Sequence, residues 1–338
     1  MPAIPYDALH ANVAAIFRCC GMNSADADTL ARTLARADLR GVHSHGVMRV
    51  PEYVEKLTAR GVNPHGRPRV VSDRISAIVV DGDNAMGAIA ATFAMDRAIE
   101  RARDTGVALA AVRGSNHCGA MFCYAMQALP EMIGLCATNA LPTMAPWGGR
   151  DKIVGINPLA VAIPAAGEPP IVLDAAFSYS SHGKIRIHHQ KGLPIPPTWA
   201  FDEEGQPTTD TAKALNGLLQ PIGEYKGVGL AIVFGILSSL LSGAAYGTEL
   251  GNMVDGPKPG QDGHFFLAVN IAAFEDPHHF RSRVDGIIRQ IREGGASPHA
   301  PGGLEALTES RYRQEGIPLN DLTWHGLEQC AKRFHLSF

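Results

Sequence analysis

Over much of the first third of the chain, apolar residues recur every three or four positions, the spacing of helices with one buried face. Leu30, Leu34 and Leu39 mark one such stripe, which opens at Ser24, a residue able to cap a helix, and closes near Gly41. A second helix follows Pro51, carries Tyr53, Val54 and Leu57, and ends by Gly61. The period then changes. Residues 75–81 alternate as a strand does, 88–103 return to an Ala-rich helical stripe, and 107–112 form a short apolar run typical of a strand. Residues 133–138, 159–163 and 171–173 are apolar runs bounded by Gly, Pro and Asn, the mark of buried strands. The pattern further predicts a buried helix over 226–241, a strand over 264–271, an amphipathic helix over 281–293 and a last helix within 319–334.

Strands and helices mixed along the whole length imply an α/β or α+β class. A chain of 338 residues is long for one core, and no Gly/Ser-rich linker divides it, so two interleaved domains are expected. The composition, 46% hydrophobic and 19% charged with a formal net charge of -3, carries no basic footprint for nucleic acid. Residues 227–248 carry no charged residue but several Gly and Ser, and read as a core helix rather than a membrane span. The opening residues show no basic region followed by an apolar stretch, and the six cysteines form no C-x-x-C pair. Reduced thiols and a cytoplasmic location are the expectation.

The candidate chemistry is concentrated in a few strings. Gly41-Val42-His43-Ser44-His45-Gly46-Val47-Met48-Arg49 places two imidazoles, a hydroxyl and a guanidinium just after a helix. Histidine exchanges protons near neutral pH, and arginine can hold a carboxylate through two parallel hydrogen bonds. Together they suit an enzyme acting on a 2-oxo or 2-hydroxy acid; they also suit a polar loop. Ser115-Asn116-His117-Cys118 follows a strand, where His117 is either a general acid/base or a core histidine bonded to backbone. Thr138-Asn139 and the Gly-rich turns at 148–149 and 155–158 fit either a ligand cradle or ordinary turns. Asp174 ends a strand and could orient a histidine, bond a ribose hydroxyl or cap the next segment. Lys226 stands at the start of an apolar helix, where the dipole disfavours a cation, so an anion site is the preferred reading. His43 and His45 would share a face in an extended segment, but no third ligand lies nearby and no H-E-x-x-H occurs, so no metal is expected. No G-x-G-x-x-G or P-loop string is present, and spacing alone therefore does not yield a dinucleotide.

These strings, with Pro146-Trp147-Gly148-Gly149, Gly183-Lys184-Ile185, Pro207-Thr208-Thr209-Asp210 and residues 223–229, resemble the malate/L-lactate dehydrogenase family of the non-Rossmann type. That family also takes in ureidoglycolate and sulfolactate dehydrogenases, diketogulonate reductase and the piperideine/pyrroline-2-carboxylate reductases. The resemblance implies a non-Rossmann malate/L-lactate dehydrogenase-like α/β fold that binds NAD or NADP without the glycine fingerprint, and a homodimer. It implies a domain over 1–124 and 287–338 that carries the catalytic histidines, and a cofactor-binding domain over 125–286. His45 and His117 fall on the active-site histidines, Arg49 on the carboxylate-holding arginine, and Ser44 beside them, with Asp174 as an orienting group. Asn139, Leu173, Asp174, Ala175, Ala176, Ser178, Lys226 and Gly302 fall on the cofactor side. After Pro301-Gly302 the family continues with Glu or His-Glu, whereas this chain reads Gly303-Leu304-Glu305. The implied substrate is a small carboxylate of the malate, lactate or sulfolactate type, with a cyclic imino acid as the alternative.

Overall fold

The computed structural model describes residues 3–254 and 256–337. Among them, seven strands form the central sheet: β1 (Arg69–Arg74), β2 (Ala77–Asp81), β3 (Val107–Ser115), β4 (Met132–Thr138), β5 (Leu159–Ile163), β6 (Ile171–Ala175) and β7 (Asp262–Asn270). Their order across the sheet is β1-β2-β3-β7-β4-β5-β6. β2 and β3 run parallel, and the other neighbouring pairs are antiparallel. The sheet therefore lacks the row of parallel strand ends at which a doubly wound fold binds dinucleotides, which accounts for the missing glycine fingerprint.

The helices are α1 (Tyr6–Cys19), α2 (Ser24–Leu39), α3 (Val50–Thr58), α4 (Gly87–Thr105), α5 (His182–Gln190), α6 (Tyr225–Ser238), α7 (Pro277–Glu293), α8 (Gly303–Glu315) and α9 (Asp321–Arg333), with short turns between. α4 is the crossover between the parallel pair. Its buried alanines, Ala90, Ala91, Ala94 and Ala98, let it sit close on Ala108, Ala110 and Phe266 of the sheet. A second core joins Leu9, Phe17, Leu34 and Tyr53 of α1 to α3 with Leu327 of α9. A third, around Phe177, Ile185 and Ala231, lies under the layer built between β6 and β7. Strands on both sides of residue 124 share the one sheet. The C-terminal helices return to the N-terminal ones, where Arg40 pairs with Glu309 at 2.9 Å.

Three local expectations change. α2 is capped by Asn23, whose side chain accepts from the Ala25 and Asp26 amides at 3.0 and 3.1 Å, and Ser24 is the first helical residue. Ile75 lies in the β1–β2 turn, 84% exposed, because β1 is a polar edge strand that hydrophobic alternation does not reveal. The helix expected over 226–241 is not wholly buried. α6 buries Val228, Ala231 and Gly235, but Leu230, Val233 and Ile236 on its other face are bare. No described helix is long and apolar enough to cross a membrane.

Candidate active site

The turn that carries His45 and Arg49 is folded by a buried carboxylate. α2 ends at Gly41, with φ +79°. Two tight turns follow, His43–His45 and Val47–Arg49. One Asp38 oxygen accepts the Val47 amide at 2.6 Å, and the other lies 2.7 Å from His43 Nδ1. Gly46 crosses this carboxylate so closely that a Cβ there would lie 2.1 Å from it. His43 is thereby drawn to Asp38 and Tyr312, away from His45, so the two do not share a face. His45 is left facing a cleft, its Nδ1 2.9 Å from Ser44 Oγ. Arg49 is held by donating Nε to the Ser44 carbonyl at 2.9 Å and Nη1 to Glu52 at 2.8 Å.

His117 reaches the same cleft from the loop after β3. Its Nδ1 lies 2.6 Å from Tyr53 Oη, and its ring stacks on that of His45 with centroids 5.8 Å apart and planes 14° from parallel. The cleft has a volume of about 380 Å³ and is walled by His45, Arg49, His117, Asn139, Arg186 and Asp262, among others. Burial, reinforced by the Arg49 charge, pushes the His45 pKa down to about 4. The same two causes, with the neighbouring imidazoles, hold His117 well below the ordinary histidine value. Both rings are held toward the neutral form, the one that can accept a proton. Burial pushes the Cys118 thiol up, so it is no activated nucleophile.

The sequence profile described as malate/L-lactate dehydrogenase matches residues 4–328. The chain belongs to the malate/L-lactate dehydrogenase family. It is 36% identical to a malate dehydrogenase of Pyrococcus abyssi over 98% of this chain and 94% of that one. The sulfolactate dehydrogenase of Methanocaldococcus jannaschii superposes with a TM-score of 0.92 at 31% identity, covering 99% of this chain and 98% of that one. A Δ1-piperideine-2-carboxylate reductase from Pseudomonas syringae superposes with a TM-score of 0.89 at 29% identity, covering 98% and 100%. As a member of this dehydrogenase family the chain is an oxidoreductase, and names among its relatives include both NAD(+) and NADP(+).

A smaller hollow of about 200 Å³ adjoins the histidine cleft; His45, Gly119, Ile156, Pro158 and Ser181 wall both. Asp174, Ala176, Glu305 and Arg40 line it. Asp174 accepts the Phe122 amide at 2.8 Å while its side chain stays exposed at the hollow. Arg40 Nε is buried and finds no partner among the described residues. Carboxylate acceptors beside a cleft fit the hydroxyls of a nicotinamide dinucleotide.

The other sequence-derived cofactor residues are scattered. Asn139 walls the cleft, but its amide donates to the Ala245 carbonyl at 2.8 Å and accepts the Gly263 amide at 3.1 Å, so it pins loops together. Leu173 is exposed on the edge strand and Ala175 is half-buried; neither lines the two cavities. Ser178 is buried, its hydroxyl donating to the Ser180 carbonyl at 2.6 Å. Gly302, with φ +84°, presses on β6 so tightly that a Cβ would lie 2.8 Å from the Val172 carbonyl. Its place is to bring the start of α8, and Glu305, to the hollow. Lys226 is exposed in the first turn of α6, over the Tyr225 ring, outside the lining of these two cavities. Helix α6 has its bare face toward solvent, so its first turn tolerates a hydrated lysine despite the dipole. Sequence reading assigned no site role to Tyr53, Glu52, Arg186 or Asp262. For Tyr53 a signal exists: it stands four residues after Arg49, one helical turn along.

Proposed function

We propose that this chain catalyses reversible hydride transfer between NAD(P)H and C2 of a small 2-oxo or 2-hydroxy acid of the malate, lactate or sulfolactate type. The observation that carries the reading is the pair of stacked imidazoles beside a tethered guanidinium, in a cleft that adjoins the hollow around Asp174. When bound, the dinucleotide supplies or accepts the hydride. Arg49 holds the C1 carboxylate through its free Nη edge. One of the two imidazoles, His45 or His117, takes the hydroxyl proton in oxidation and returns it to the C2 oxygen in reduction. Ser44 and Tyr53 fix the two rings through their Nδ1 atoms. Burial and, after it, the Arg49 charge depress both imidazoles; a carboxylate bound to Arg49 offsets the second of these and so favours the protonated ring that reduction needs. Asp174 and Glu305 accept hydroxyl hydrogen bonds of the cofactor.

The working division is 1–124 with 287–338 for the histidines and 125–286 for much of the cofactor wall, welded by the shared sheet. We read the protein as a cytoplasmic homodimer. Leu230, Val233 and Ile236 on α6, continued by Leu240 and Leu241, form an apolar face that a second copy would cover. Reduction of a cyclic imino acid is the second reading, favoured by the piperideine-carboxylate reductase likeness. NADH and NADPH oxidation with oxaloacetate, pyruvate, sulfopyruvate and pyrroline-2-carboxylate separates the two. Turnover with a 2-oxo acid is expected; turnover with the imine alone replaces the first reading by the second.

A further inference from the structure

The wall of the cleft beside Arg49 is the start of α5, and it holds cationic and polar groups that the hydride-transfer scheme does not use. His182 and Arg186 are four residues apart, so they project from one face of the helix, and both line the cleft. Between them Gly183 leaves room for Arg49: a Cβ there would lie 3.6 Å from Arg49 Nη2. The two guanidinium-bearing walls therefore border one small space. Among the described residues Arg186, an exposed residue, makes no hydrogen bond or ion pair, and His182 Nε2 is buried without a partner. Arg49, by contrast, already spends Nε on the Ser44 carbonyl and Nη1 on Glu52, which leaves one edge for one carboxylate. The N-terminus of α5, capped by Ser181, adds its positive end to the same wall.

We propose that Arg186 and His182 form a second anion-binding wall of the cleft and select a 2-oxo or 2-hydroxy acid that carries a further acid group, carboxylate or sulfonate, on its side chain. This rests on the reading of the cleft as a 2-oxo acid site. With Arg49 on the C1 carboxylate, the distal acid of a four-atom chain faces α5, where Arg186 offers two parallel donors and His182 Nε2 a third contact. A monoacid such as pyruvate turns a methyl group toward the same wall and gains none of these contacts.

The test compares kcat and KM for oxaloacetate, sulfopyruvate and pyruvate, with saturating NADH or NADPH, in the wild-type protein and in Arg186→Gln and Arg186→Lys. The wild type is expected to favour a diacid over pyruvate in kcat/KM, by about 100-fold if two charged hydrogen bonds discriminate. Arg186→Gln should lower diacid kcat/KM by about 10- to 100-fold, through KM, while pyruvate changes by no more than about 3-fold. Arg186→Lys should restore part of the loss, because the charge is kept and the fork is not. Which of oxaloacetate and sulfopyruvate loses more identifies the distal acid. Equal losses on diacids and pyruvate, or a wild type that prefers pyruvate, overturns the second wall and leaves hydride transfer to a 2-oxo acid standing. Turnover of pyrroline-2-carboxylate with no 2-oxo acid reduced overturns both.

Discussion

Removing one hydroxyl, in Tyr53→Phe, probes whether a positioned imidazole moves the proton. Tyr53 is 1% exposed, and its ring packs against Phe17 with centroids 6.5 Å apart, so phenylalanine keeps the ring in place. What is lost is the 2.6 Å contact to His117 Nδ1. A buried nitrogen left without a partner costs about 1–3 kcal/mol. If that cost falls on the transition state, where His117 must hold its tautomer and orientation, kcat drops by about 5- to 150-fold. KM for the 2-oxo acid should hardly move, since Arg49 keeps both of its tethers. Steady-state rates read from nicotinamide absorbance give both constants, and a thermal melt shows that the variant is folded. Ser44→Ala is the matching perturbation on His45, whose Nδ1 it strips of the 2.9 Å contact. The larger kcat loss marks the imidazole that carries the proton. If both variants keep the wild-type kcat and pH profile, neither imidazole is held for proton transfer and the reasoning fails.

Arg49→Lys should raise KM for every 2-oxo acid by about 10-fold or more with a smaller change in kcat, because an ammonium cannot make the paired hydrogen bonds; an unchanged KM removes Arg49 from the substrate site. Oxidation of the hydroxy acid needs a neutral imidazole, and burial with Arg49 holds His45 at about 4 and His117 low. Its kcat/KM should therefore stay level through neutral pH and fall only below about pH 5, whereas a fall through the ordinary histidine range near 6.5 would contradict the burial argument. Reduction should show the opposite slope, rising toward acid pH. Val233→Glu puts a charge in the bare face of α6, 53% exposed, and should turn a dimer into a monomer in sedimentation with the fold retained; an unchanged association state moves the interface elsewhere.

Much of the sheet was legible because its inner strands are apolar on both faces. Residues 133–138 and 159–163 coincide closely with β4 and β5. Elements with little apolar content were not: β1 is polar and exposed, α5 buries Ile185 alone, and α8 leaves Leu304 and Leu307 in solvent. In the site, the His45, Arg49 and His117 strings pointed to one chemistry, and the fold brings those side chains to one cleft. The device that makes this possible, Asp38 folding the loop against Gly46, could not be read, since a buried carboxylate near a helix end looks like any surface acid. The apolar run after Lys226 suggests a buried helix, whereas one face of α6 is bare and Lys226 itself is exposed. Arg186 escaped notice because a charged helix with one buried residue gives no periodic signal.

The central claim is that a hydride passes directly between nicotinamide C4 and C2 of a 2-oxo acid in the cleft of His45, His117 and Arg49. NADH or NADPH deuterated at C4, incubated with the protein and the best 2-oxo acid of the panel, tests it by proton NMR of the product. Deuterium at C2 of the hydroxy acid, from one face of the nicotinamide ring, is the expected result. Product formed with hydrogen at C2 whichever face carries the label, or label released to water, would contradict it.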